Sequence, residues 1–280
     1  MARDIDALVS PTLKHLRERW WDPGFSEFLS ENVRPRPGTR ILDVGCGEGT
    51  AVVSLGRQRI SQVDLFAIDQ KFDRVKQTVR SASAHNIRVK AACADVCHLP
   101  FRNDVFDSTF CVAVLQHVRD VPVAVSELAR VTKPGGRIVA VEPDNAARYW
   151  YSSLESGQRT YEMGRAFFAS VLAARGDATD PSVGPKLTAI FTDAGLEPLS
   201  VNLFPVSLAR LGPPPKSVWE ERRNAVRRTL DGTDDKKVRR LADDYLAQLE
   251  RYAADVATAG SAFVEIQNTM LFAAVGQKAE

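Results

Sequence analysis

The densest chemical signal in this 280-residue chain is Asp43-Val44-Gly45-Cys46-Gly47-Glu48-Gly49. The apolar run Arg40 to Val44 leads into it, and a helical pattern from Gly49 to Gln58 follows. Glycines at such a turn let backbone approach a ligand closely, and open parallel sheets present ligands at the carboxyl ends of their strands. Asp69 stands 20 residues beyond Gly49, at the end of the next apolar run, where a carboxylate can accept both hydroxyls of a ribose. That spacing points to a nucleoside ligand and leaves a dinucleotide and other adenosine-bearing cofactors open. The glycines separate these. A dinucleotide site needs Gly-x-Gly-x-x-Gly or Ala, so that a pyrophosphate meets a helix N-terminus. Counted from Gly45 the last position is Thr50, and from Gly47 it is Val52. Asp43 would also repel a pyrophosphate while supporting an ammonium group, so the expected ligand is cationic.

Other reactive side chains gather after later strands. His117 is the candidate general base, because an imidazole titrates near neutrality; His98 is read as structural. Glu142 ends a strand at the same sheet edge, where a carboxylate would suit a substrate amine or a hydroxyl to be deprotonated. Asp144, Asn145, Arg148 and Tyr149 follow at the expected mouth, and Arg148 suggests an acidic group on the substrate.

These residues need a scaffold that alternates strands and helices. Strands are expected at 40–44, 63–68, 89–92, 106–114 and 137–142, with helices at 49–58, 72–84 and 121–131 between them. Apolar strands joined by helical crossovers make a mainly parallel sheet covered on both faces. Ahead of it, residues 4–30 read as helical, with Trp20 and Trp21 before a Pro23-Gly24 break and a second helix from Phe25. Residues 34–38 form a linker. Residues 146–175, rich in aromatics, read as a helix or helix pair. A helix over 186–194, strands at 197–206 and 263–275, and a charged helical segment over 218–259 complete the chain. In the last of these, Val238, Leu241, Tyr245, Leu249 and Tyr252 step by three and four along one face.

The run 43–49, Asp69, Ala94-Asp95 before Leu99-Pro100-Phe101, Phe106-Asp107 to His117-Val118, and Lys133-Pro134-Gly135-Gly136 together resemble the class I S-adenosylmethionine-dependent methyltransferases. Within that class the chain is similar to the small-molecule enzymes related to ubiquinone and menaquinone C-methylases. The resemblance covers about Gly38 to Glu142. It implies an α/β three-layer sandwich with a seven-stranded, mostly parallel, Rossmann-like sheet and a helical cap. The N-terminal lid would span 1–37, the core 38–145, 181–210 and 261–280, and the cap insertions 146–180 and 211–260. It further implies that Gly45 and Gly47 pass under the methionine part of the cofactor while Asp43 orients its ammonium group. Asp69 would hold the ribose, Gln70 would lie against the adenine, and Asp95 with the Val96 amide would read the adenine edge. Val112 and Gln116 would border the transferred methyl, and Trp21 would belong to a lid over the cofactor. From the residues themselves, Glu142, Asn145, Arg148 and Tyr149 are the expected substrate contacts and His117 and Glu142 the candidate catalytic groups, while the resemblance makes the counterpart of His117 a helix-start residue packing under the cofactor and Glu142-Pro143 also reads as a structural turn.

Composition bounds the alternatives. With 44% apolar and 26% charged residues the chain has the makeup of a globular protein, and a net charge of +2 gives no field for nucleic acid or an anionic membrane. Cys46, Cys93, Cys97 and Cys111 lack metal-site spacing and read as reduced thiols. No apolar leader follows Met1, so a cytoplasmic protein is expected, a monomer or a homodimer joined through its cap, with no metal ion. The expected activity is direct methyl transfer from S-adenosylmethionine to a small molecule, releasing S-adenosylhomocysteine. The rivals are a catalytically silent subunit binding the same cofactor and a nicotinamide-dependent oxidoreductase.

Overall fold

The computed structural model describes residues 20–58, 61–174, 179–230 and 234–280. The helix expected over 4–19 lies outside the described residues. In chain order the first half holds α1 (Pro23–Val33), β1 (Arg40–Val44), α2 (Thr50–Gly56), β2 (Asp64–Asp69), α3 (Phe72–Ala84), β3 (Val89–Cys93), β4 (Phe106–Val112), α4 (Val121–Val131) and β5 (Thr132–Pro143). Then come β6 (Tyr149–Ser152), α5 (Glu155–Ala174), α6 (Leu187–Asp193), β7 (Leu196–Leu211), α7 (Lys216–Leu230), α8 (Lys236–Ala259) and β8 (Val264–Lys278). Two compact units divide these elements. A sheet unit holds Trp21–Ala146, Thr179–Phe204 and Met270–Glu280, and a helical unit holds Trp20, Ala147–Ala178 and Pro205–Thr269.

In the sheet unit the parallel order is β3-β2-β1-β4-β5. Val44 pairs with Ile68 on one side and Cys111 on the other, while Asp69 pairs with Cys93, so the carboxyl ends align at one edge. Ile41, Leu42, Val44, Ile68, Phe110 and Cys111 are buried, as strands covered on both faces require. Beyond β5, residues 271–277 of β8 pair antiparallel with 137–143. Helices α1 to α3 pack on one face and α4 with α6 on the other, giving three layers. Asp22 caps α1 by accepting the Phe25 N–H at 2.8 Å, and Pro23 is preorganised for the first turn. The helix therefore starts two residues before its expected first residue, Phe25.

In the helical unit the structure corrects one expectation. Tyr149–Ser152 is a strand rather than part of a helix, pairing antiparallel with 265–268 of β8, and it brings the described strands to eight instead of seven. Alternation explains it. Trp150 stacks on Tyr161 of α5 at 5.2 Å and Ser152 meets the Tyr252 hydroxyl at 3.1 Å, while Tyr149 and Tyr151 point away and stay exposed. The 218–259 segment is two helices, and Val238, Leu249 and Tyr252 of α8 are buried as the three-and-four stepping predicts. Helices α5 and α8 lie close because Gly164 faces Tyr245, where an added Cβ would stand 2.9 Å from the phenol oxygen.

Candidate active site

The glycine turn is built against the end of β2. The Gly45 and Cys46 N–H groups both donate to the Ile68 carbonyl at 2.8 Å. Gly45 takes φ +73°, and a Cβ there would fall 2.3 Å from Cγ2 of Val114, so only glycine lets the turn pass beneath the β4 end. Gly47 is the contrasting case. Its φ is +54°, yet the nearest atom to an added Cβ is a carbonyl oxygen at 4.0 Å, which leaves bare backbone facing open space. The Asp69 carboxylate joins this turn to the start of α3, accepting the Gly47 N–H at 3.1 Å through Oδ2 and the Lys71 N–H at 2.9 Å through Oδ1.

Asp43 lies under the turn. It is buried, and its Oδ2 has no hydrogen-bond partner among the described residues. Burial, with the Asp69 charge adding to it, pushes the Asp43 carboxyl up to about 8. A carboxyl so placed suits a cation and would oppose a pyrophosphate. Burial also raises the Cys46 thiol to about 12, which makes it packing rather than a nucleophile.

After β4 the chain bends at Ala113, a non-glycine residue at φ +57°, into the short turn Leu115–His117. The fully buried Glu142 holds that turn. Its Oε1 accepts the Val114 and Leu115 N–H groups, each at 2.7 Å, and its Oε2 accepts the Gln116 N–H at 3.3 Å. Burial raises the Glu142 carboxyl to about 7, with those N–H groups and nearby His117 pulling the other way. Sequence reading placed Glu142 toward a substrate, whereas both its oxygens are turned onto backbone. His117 is half-buried at the end of the turn. The Asn145 amide donates to Gln116 Oε1 at 2.6 Å, and the buried Gln116 Nε2 has no partner among the described residues. A buried donor and a buried acceptor, Gln116 and Asp43, thus both lie at this sheet edge.

Other predicted residues spread further. Asp95 is exposed in the loop after β3, its side chain accepting the Cys97 N–H at 2.9 Å, and Val96 is half-buried beside it. Gln70 is exposed and its carbonyl accepts from Cys93 Sγ at 3.2 Å. Val112 is half-buried at the end of β4, and Trp21 packs edge-on against Phe25 at 5.1 Å. Arg148 and Tyr149 belong to the helical unit, where the Arg148 carbonyl accepts from the Tyr161 hydroxyl at 2.9 Å.

Sequence reading missed two supports. Thr78 of α3 donates to the Gly47 carbonyl at 2.9 Å and approaches Cys46 Sγ at 3.2 Å, tying helix to turn. Glu127 and Arg130 of α4 pin the loop after β3. Glu127 accepts the Leu99 N–H at 2.7 Å, and Arg130 donates to the Leu99 and Phe101 carbonyls at 3.1 and 2.8 Å. A Glu-x-x-Arg pair on one helix face was the available signal; Thr78 had none. Among the described residues no three His, Cys, Asp or Glu side chains converge as a metal site, and no helix is long and apolar enough to cross a membrane.

Comparison with known proteins agrees with this edge. Residues 42–140 match the family described as a methyltransferase domain. A demethylmenaquinone methyltransferase of Mycobacterium marinum is 32% identical over 142 residues, 51% of this chain and 55% of that protein. The chain spans about half the length of the curated relatives it matches. A solved Bacillus halodurans protein superposes with a TM-score of 0.57 at 15% identity, over 92% of this chain and 100% of that one. The geranyl diphosphate C-methyltransferase of Streptomyces coelicolor, solved with geranyl diphosphate, Mg2+ and S-adenosyl-L-homocysteine, gives 0.51 at 16% identity, over 97% and 87% of the two chains.

Proposed function

We propose that this chain, whose residues 42–140 match the methyltransferase-domain family, transfers a methyl group from S-adenosylmethionine to a small molecule. The observation that carries the reading is the buried Asp43 Oδ2, an acceptor without a partner under a turn of bare glycine backbone. That combination fits a cofactor that is an adenosine at one end and carries an ammonium at the other. Asp43 would receive the ammonium, Gly45 and Gly47 the methionine chain, and Asp69 the ribose hydroxyls through lone pairs left after its bonds to Gly47 and Lys71. Gln70, Asp95 and Val96 would meet the adenine, with Val112, Gln116 and Trp21 around the methionine end.

When bound, S-adenosylmethionine supplies an electrophilic methyl group, so the protein's share is alignment more than covalent chemistry. Glu142 acts as a positioning residue: by gathering three N–H groups of 114–116 it fixes where Gln116 and His117 stand. Asn145 takes the Gln116 carbonyl and so turns the Gln116 N–H donors to the ligand side. His117 is the group available to accept a proton from an acceptor that must lose one. Asn145, Arg148 and Tyr149 would contact the acceptor.

Calorimetric titration tests this with S-adenosylmethionine, S-adenosylhomocysteine and NAD, on the natural chain and on Asp69→Ala. Binding of both adenosyl compounds, lost in the variant, is the expected result and leads to screening small molecules for S-adenosylhomocysteine release. NAD binding in place of the adenosyl compounds would sink the proposal.

A further inference from the structure

Two arginines share one carboxylate inside the helical unit. Glu265 of β8 is 1% exposed, and Arg210 of β7 and Arg222 of α7 are 15% and 10% exposed. Arg210 Nη1 donates to Glu265 Oε1 at 2.6 Å, and Arg222 Nη2 donates to Oε1 and Oε2 at 2.8 and 3.0 Å. The Gln267 amide and the Tyr252 hydroxyl reach the same carboxylate at 2.9 and 3.0 Å. Glu265 is therefore saturated with donors, and one guanidinium would have neutralised it. The second leaves a surplus positive charge in a nearly sealed place, which is costly unless an anion joins it.

The arginines are also under-used. Each commits one terminal nitrogen to Glu265, and its Nε and other Nη make no hydrogen bond among the described residues. None of these four nitrogens belongs to the buried unpartnered atoms, so each keeps a small exposure at the rim of side chains that are 15% and 10% exposed. Arg222 lies over the Trp219 ring at 4.9 Å, which holds its fork in one plane. Planar N–H pairs of this kind match the oxygens of a carboxylate or phosphate.

We infer that Arg210 and Arg222 form an oxyanion site in the helical unit, taking the carboxylate or phosphate of a small organic ligand. The ligand class is therefore a small acidic molecule, and this holds independently of the methyltransferase reading above.

The probes are benzoate and inorganic phosphate, titrated by calorimetry against chloride at equal ionic strength. Saturable binding of one or both is expected, and the tighter probe identifies carboxylate or phosphate as the source. Arg210→Gln leaves a balanced Arg222–Glu265 pair, so it should fold, and should weaken the probe by about tenfold or more. Glu265→Gln removes the competing carboxylate and should tighten it. Asp69→Ala should leave probe affinity unchanged, because no methyl donor takes part; failure here and failure of the methyltransferase reading are thus separate results. No saturable binding beyond chloride, or equal affinity in Arg210→Gln, overturns the site.

Discussion

Glu142 accepts the Leu115 N–H at 2.7 Å from a position with no solvent exposure, so the last strand of the parallel set dictates the path of the turn after β4. A base in the same place would need an oxygen facing the acceptor. Glu142→Gln separates the two roles. The amide keeps one accepting oxygen and sets an NH2 against backbone donors, losing charge-assisted bonds worth about 1.5 to 3 kcal/mol. The expected result is a melting temperature lower by about 3 to 10 °C together with weaker S-adenosylmethionine binding. Loss of turnover with melting unchanged would restore Glu142 as the base.

Asp43 makes cofactor affinity depend on pH. Its carboxyl, raised to about 8 by burial and then by Asp69, must be ionised to meet an ammonium group. An α-ammonium loses its own proton near pH 8. Affinity should therefore rise about tenfold per pH unit toward 8 and fall beyond it. Calorimetry in buffers of different ionisation heat checks this, with proton release expected on binding below pH 8. Asp43→Asn should bind weakly with a flat left limb; a profile level from pH 6 to 8 in the natural chain would refute the assignment.

The same burial weakens the ligand-free fold. A carboxyl whose folded value lies above its unfolded one stabilises fully below the unfolded value, and that stability is lost as pH rises through the folded value. For Asp43 the window runs from about 4 to about 8, and for Glu142 from about 4.5 to about 7. Without ligand the melting temperature should fall across this range. At pH 8 Asp43→Asn should melt higher by about 5 °C, on the order of 2 kcal/mol, while binding cofactor worse. Such a trade is expected where a site holds a group for its ligand. A lower melting temperature for Asp43→Asn at pH 8 would count against a strained carboxyl.

What the sequence made legible follows from where the partners lie. β1, β2 and β4 are short apolar runs covered on both faces, so residues such as Leu42 and Phe110 declare their burial locally. The Asp43–Gly49 turn and Asp69 were legible for the same reason, since strand, turn and helix are neighbours in the chain. β6 was not. Tyr149 to Ser152 form a strand only because Glu265 to Asn268 lie alongside, over a hundred residues later, and an aromatic run carries no mark of that partner. The hold of Glu142 on Leu115 and of Thr78 on Gly47 was hidden likewise, because each joins elements that meet only in the folded sheet. The Arg210 and Arg222 pair on Glu265 joins three such elements.

Gly45 and Val114 offer a final test in which one substitution repairs another. In Gly45→Ala the new Cβ would stand 2.3 Å from Val114 Cγ2 and 2.9 Å from Cγ1, at a φ of +73°. Two costs follow: a clash that Val114 can relieve, and a left-handed backbone cost of about 1 to 2 kcal/mol that it cannot. Gly45→Ala alone should lose cofactor binding and several degrees of melting temperature. Val114→Ala alone removes two methyl groups from a half-buried side chain and should cost little. In the double variant the 2.3 and 2.9 Å clashes are gone, while a tight 3.2 Å contact to the Cβ of residue 114 and the backbone cost stay, so the coupling energy should be favourable by about 1 kcal/mol or more. Chemical denaturation of all four proteins measures it. Additive losses would mean that Val114 is not what confines position 45 to glycine, and that the turn owes its path to the Ile68 carbonyl alone.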